Sequence, residues 1–144
     1  MKLITYRDIV SFKLPSDWKE EYYDDGNAVF YREDGNSGTL RLSVESIEIE
    51  KGYAESVELS SESDIYVQDG FHLEEEVKLT NEGGDENLVY SWKIIVPVDS
   101  KEKKIIWFSY IILAAQEGEP SINLELNFIR NTILKARYGD LKSN

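Results

Sequence analysis

The residues that could do chemistry in this chain are one histidine, His72, and a large stock of carboxylates. A histidine base needs an orienting carboxylate and a nucleophile within reach. Glu74, Glu75 and Glu76 follow His72, and a strand would put Glu74 on its face, but no nucleophile accompanies them, so His72 reads as a strand-surface residue. The acids fall in pairs and runs: Glu20-Glu21, Asp24-Asp25, Glu33-Asp34, Glu74 to Glu76 and Asp85-Glu86. Two carboxylates held about 5–9 Å apart can hydrolyse a glycoside. With 28 acids in 144 residues, however, such pairs arise by number alone. Asp24-Asp25-Gly26-Asn27 and Glu33-Asp34-Gly35-Asn36 faintly resemble calcium loops, yet neither has the alternating oxygen ligands and the closing glutamate that such a loop needs. Both read as tight turns. The chain has no cysteine, which removes thiolate nucleophiles, thiolate metal sites and disulfides. Phosphate-binding glycine loops, serine elbows and zinc spacings are absent too. No catalytic, cofactor or metal residue is assigned, and a non-enzymatic protein is expected.

Binding is the other chemistry to weigh. Trp18, Trp92, Trp107 and nine tyrosines could line a groove or an interface. Trp107 lies in a segment apolar on both parities and reads as core. Trp18 follows Pro15 and reads as partly exposed. With Glu20, Glu21, Asp24 and Asp25 it forms the candidate interaction surface.

The net charge of −12 is concentrated. Residues 19–86 hold 20 acids and 5 bases, net −15, whereas residues 87–144 come to +2. Such a chain repels nucleic-acid phosphates and anionic head groups, and suits a basic protein partner or simple solubility. The longest apolar run, Ile105 to Ala115, is too short to span a bilayer. The N-terminal residues lack the apolar run of a signal peptide. The expectation is a cytoplasmic protein that binds neither nucleic acid nor membrane, folded as one α+β domain over residues 1–144.

The elements that would position these residues can be read from periodicity. Ile9, Phe12 and Leu14 fit a strand that Pro15 ends, because proline has no N–H for the ladder. Ala28 to Tyr31 is a short strand between the two glycine turns. Thr39 to Glu50 alternates, with a change of parity between Val44 and Ile47 that a bulge near Glu45-Ser46 would absorb. A short helix is expected near Tyr53–Leu59. Phe71 to Leu79, Leu88 to Val96 and Lys104 to Ala115 form a three-stranded antiparallel meander, joined by turns at Asn81–Asp85 and Asp99–Lys101. The third strand is apolar on both parities and should be covered on both faces. After Pro120, Ile122, Leu126, Ile129, Ile133 and Ala136 lie on one helical stripe, predicting a helix over 121–138. Ile122, Leu124, Leu126 and Phe128 also alternate as a strand would, and the longer stripe favours helix. The fold class is therefore an antiparallel sheet covered by a C-terminal helix and, on the other face, a smaller helical element.

The arrangement of Ile9, Ser11, Phe12, Leu14, Pro15 and Trp18, the Gly38-Thr39-Leu40-Arg41 strand, the meander and the terminal helix resembles the PsbP-like superfamily. That group takes in photosystem II PsbP proteins, Ran-binding Mog proteins, DcrB-type lipoproteins and type VI effector chaperones. The resemblance runs from about Asp8 to Tyr138 and is nearest to small uncharacterised bacterial members. It implies an antiparallel sheet between helices and a mostly non-enzymatic role. No motif carries a functional residue over. The expected function is protein binding, as an effector chaperone or an immunity-type protein. A small-ligand or lipid-binding module, with a pocket between sheet and helix, is the alternative.

Overall fold

The computed structural model describes residues 1–34, 36–48, 65–66 and 71–139. Ten strands lie among them: β1 (Lys2–Tyr6), β2 (Val10–Leu14), β3 (Lys19–Tyr22), β4 (Asn27–Tyr31), β5 (Thr39–Glu48), β6 (Ile65–Tyr66), β7 (His72–Glu82), β8 (Asp85–Pro97), β9 (Glu102–Leu113) and β10 (Arg137–Tyr138). One helix, α1, spans Pro120–Leu134, after a single 3₁₀ turn at Ala114–Gln116. The strands make a seven-stranded sheet, β3-β4-β5-β9-β8-β7-β6, and a three-stranded sheet, β1-β2-β10. All pairings are antiparallel. The class is α+β, and β7-β8-β9 is the expected meander.

Local chemistry sets its turns. Gly83 and Gly84 both have positive φ (63° and 90°), which a two-residue hairpin with the strands' own twist requires. At the next turn Asp99 accepts the Lys101 and Glu102 N–H groups on one carboxylate oxygen, at 2.7 and 2.8 Å.

β9 sits mid-sheet between β5 and β8. Its Ile106, Phe108, Tyr110 and Ile112 are buried on the inner face, while Trp107, Ser109 and Ile111 on the other are half-buried. The inner face is covered by two elements where one was expected. α1 contributes Ile122, Ile129 and Ile133, and the small sheet contributes Ile4, Tyr6, Val10, Phe12 and Leu14 to the same core. Phe12 meets Phe30 and Phe108 edge to face, with ring centres 5.6 and 5.3 Å apart, the arrangement that ring quadrupoles prefer. The helix expected near Tyr53–Leu59 lies outside the described residues.

Two expectations are corrected. β5 pairs with β9 from Thr39↔Ile111 to Glu48↔Glu102 without a skipped residue, so no bulge occurs at Glu45-Ser46. Leu40 and Leu42 are fully buried, and the strand then runs past the core, so its later residues need no parity correction. Along β7 Leu73 is buried, and Phe71 just before it packs against the core, whereas Val77 and Leu79 on the same face are exposed. Finally, Ile122–Phe128 is helix, but α1 ends at Leu134 rather than Tyr138. Tyr138 is instead drawn into the sheet opposite Val10, and its hydroxyl donates to the Ile133 carbonyl at 2.7 Å, where burial raises the phenol pKa.

Candidate functional site

The expected surface maps onto the first edge of the large sheet. β3 (Lys19–Tyr22) pairs only with β4 among the described residues, and all four of its residues are exposed. Tyr23 N–H donates to the Asn27 carbonyl at 2.9 Å. Antiparallel alternation then turns the backbone groups of Glu20 and Tyr22 toward the open edge. An open edge of this kind is a template for another strand.

Side chains alternate as well, so the strand divides the acids between two faces. Glu20 pairs with Lys2 at 2.7 Å and accepts the Tyr22 hydroxyl at 2.6 Å. The Lys2 hydrogen bond, followed by that of Tyr22, holds the Glu20 carboxyl below the usual carboxylate range. This link contributes at pH values above the ordinary carboxylate pKa and is lost as pH falls through the lowered one. On the opposite face Glu21 accepts hydroxyls from Tyr23 and Tyr31, at 2.8 and 3.2 Å. The bond from Tyr23 to Glu21 raises that phenol's pKa. Asp24 and Asp25 cap the turn, where Asp25 accepts the Asn27 N–H at 3.0 Å. Tyr22 and Tyr23 remain 54% and 51% exposed, so the edge displays aromatic area among carboxylates.

Trp18 does not belong to this surface. It is 3% exposed, inside the core, because the turn after Pro15 folds it under the sheet. His72 lies on β7 opposite Ile95, on the outer face of the sheet, as a strand residue. Glu75 faces the other way and accepts from Trp92 Nε1 at 3.0 Å and pairs with Arg130 at 2.7 Å. Among the described residues no three His, Asp or Glu side chains are grouped as a metal set.

Sequence reasoning missed the most densely bonded polar group of the core, Glu125. Only 8% exposed, it accepts the Tyr110 hydroxyl at 2.6 Å, the Gly38 N–H at 2.8 Å and the Ser37 hydroxyl at 2.9 Å. Arg32 Nε stands 3.3 Å from its second oxygen. Burial, then the bond to Glu125, raises the Tyr110 pKa, so the phenol stays the donor. The signal was present: Glu125 lies three residues after Ile122 and four before Ile129, on the buried stripe of the helix. The cluster clamps α1 to the Ser37-Gly38 entry of β5. Gly38 is the residue this clamp tolerates, since an added Cβ would sit 2.5 Å from the Tyr110 ring and 2.8 Å from Ile112. Gly38→Ala is expected to cost about 1–3 kcal/mol through overpacking, read as a lower urea midpoint with an unchanged slope.

No family model matches the chain, and no curated protein matches it. Solved structures do. A protein from Bacteroides thetaiotaomicron VPI-5482 superposes with a TM-score of 0.59 at 17% identity, over 95% of this chain and 48% of its own. This chain thus spans about half of that protein's length. LpqN, involved in cell envelope biogenesis of Mycobacterium tuberculosis, superposes with a TM-score of 0.60 at 12% identity, over 88% of this chain and 81% of its own. At such identities the likeness is one of fold. No helix among the described residues is long and apolar enough to cross a membrane.

Proposed function

We propose that this chain is a non-catalytic protein-binding module that engages a basic partner at the β3 edge. One observation carries the reading. An edge strand that pairs on one side only among the described residues presents two half-exposed tyrosines together with Glu20, Glu21, Asp24 and Asp25. Backbone groups of the edge supply hydrogen bonds, the tyrosines supply rigid contact area, and the acids select a cationic partner and speed its approach. An effector chaperone or an immunity-type neutraliser working in the bacterial cytoplasm fits such a surface. PsbP-like kinship belongs to the same proposal, supported by an antiparallel sheet with a terminal helix on one face.

The test is a photo-crosslinking residue in place of Tyr23 in the native cell, followed by mass spectrometry and kinetics with the captured protein. Capture of a basic protein is expected. Reversing Glu21, Asp24 and Asp25 to lysine, with Glu20 kept for its bridge to Lys2, should slow association about tenfold or more at low salt. Capture that survives the reversal, with unchanged salt dependence, overturns the reading.

A further inference from the structure

A second concave surface lies away from the acidic edge. Between the outer side of the small sheet and the C-terminal half of α1 runs a groove of about 540 Å³. That volume is within the range of small-molecule sites, about 300–1,000 Å³. Met1, Leu3 and the half-buried Phe128 give it an apolar wall, while Phe12 and Ala136, which also border it, are buried in the core beneath. Leu3 is 62% exposed, on a strand where its neighbours Ile4 and Tyr6 are buried. Its two walls are fixed to each other. Thr132 Oγ donates to the Lys13 carbonyl at 2.7 Å and accepts the Lys13 N–H at 3.2 Å, tying α1 directly to β2.

The charges around this groove run against the rest of the chain. The protein carries −12, yet the charged residues that line the groove are Lys13, Lys135 and Arg137, all exposed cations. Among the described residues no carboxylate lines it, and none stands within ion-pair distance of these three. Lys135 also lies at the helix C-terminus, where a cation is favoured by the dipole. That accounts for one of the three: Lys13 comes from β2 and Arg137 from β10. An apolar wall with a cationic rim complements a molecule that has a hydrocarbon chain and an anionic end.

We infer that the groove between the small sheet and α1 binds a single-chain anionic amphiphile of the fatty-acid type, its chain along Met1, Leu3 and Phe128 and its carboxylate between Lys13, Lys135 and Arg137. The site is separate from the β3 edge, and neither depends on the other. Its partner is a small molecule, and the basic rim gives no welcome to the basic protein proposed for the edge.

Three twelve-carbon probes below their micelle concentrations decide the matter: laurate, the neutral dodecyl maltoside and the cationic dodecyltrimethylammonium. Titration calorimetry and amide-shift mapping on the full chain should show saturable laurate binding at Leu3, Lys13, Phe128 and Lys135. Laurate should bind about tenfold tighter than the other two. Lys13→Glu with Lys135→Glu should remove that preference, and Leu3→Asn should weaken all chains several-fold, both with unchanged melting temperature. The inference is overturned if the three probes bind alike, if the charge-reversed variant binds laurate as before, or if the shifts map to the exposed Val77–Leu79 hairpin. It is equally overturned if the free protein is a dimer that the lysine reversals dissociate, since a second copy would then be the occupant.

Discussion

Phe108→Asp is expected to abolish cooperative folding, leaving a chain with no thermal transition and little soluble yield. Phe108 is fully buried at the middle of β9, between β5 and β8, and meets Phe12 edge to face at 5.3 Å. Aspartate there removes a ring, opens a cavity and buries a charge with no partner. A ring deletion alone costs about 3–5 kcal/mol, and an unpaired buried charge adds several more, against a total stability of about 5–15. Ser109→Asp is the control, one residue on and half-buried on the opposite face. It should shift the melting temperature by only a few degrees. Trp107→Asp should fall between the two, since Trp107 is half-buried and stacks with the Lys93 ammonium at 5.1 Å from its ring centre. A wild-type melting curve for Phe108→Asp would mean that the inner face of the sheet is not the core.

Glu125→Ala is expected to be the most damaging polar change. It strips the acceptor from the Tyr110 hydroxyl and the Gly38 N–H, both buried, and leaves Arg32 without its buried partner. Breaking one side of such a buried pair costs about 3–5 kcal/mol. For a domain near 150 residues, each kcal/mol corresponds to roughly 2–4 °C in melting temperature, so a fall of about 10 °C is the expected reading. Glu125→Gln keeps an oxygen for Tyr110 and Gly38 but gives up the charge, and should recover part of the loss. Tyr110→Phe combined with Glu125→Ala should be clearly less than additive, because the two share one hydrogen bond. Full additivity would show that the Tyr110–Glu125 bond contributes nothing, and no loss in Glu125→Ala would show the same of the whole clamp.

Much of the frame was legible along the chain, because it rests on local rules. Alternation marked the three strands of the meander, Gly83-Gly84 and Asp99 marked its turns, and the Ile122–Ile129–Ile133 stripe marked the helix over its competing strand pattern. Charge along the sequence also placed Glu20, Glu21, Asp24 and Asp25 at the surface. Other features depended on contacts between distant residues. β1 carries little signal of its own, because its short Lys2–Tyr6 run becomes a strand only when β2 folds back on it. Trp18 reads as partly exposed after a proline, and it is the turn of the chain there that buries it. Glu20 and Glu21 are neighbours in sequence but point to opposite faces, since a strand separates what a linear count joins. The clamp on Glu125 gathers residues from 32 to 125, and the groove gathers β2, β10 and α1. The class of elements and the charge of the surface could be read along the chain, for they follow from neighbours within a few residues. Which acid is buried, which cations gather at the groove and which apolar side chains lie exposed among the described residues came from the fold, because burial and pairing are properties of segments brought together by folding.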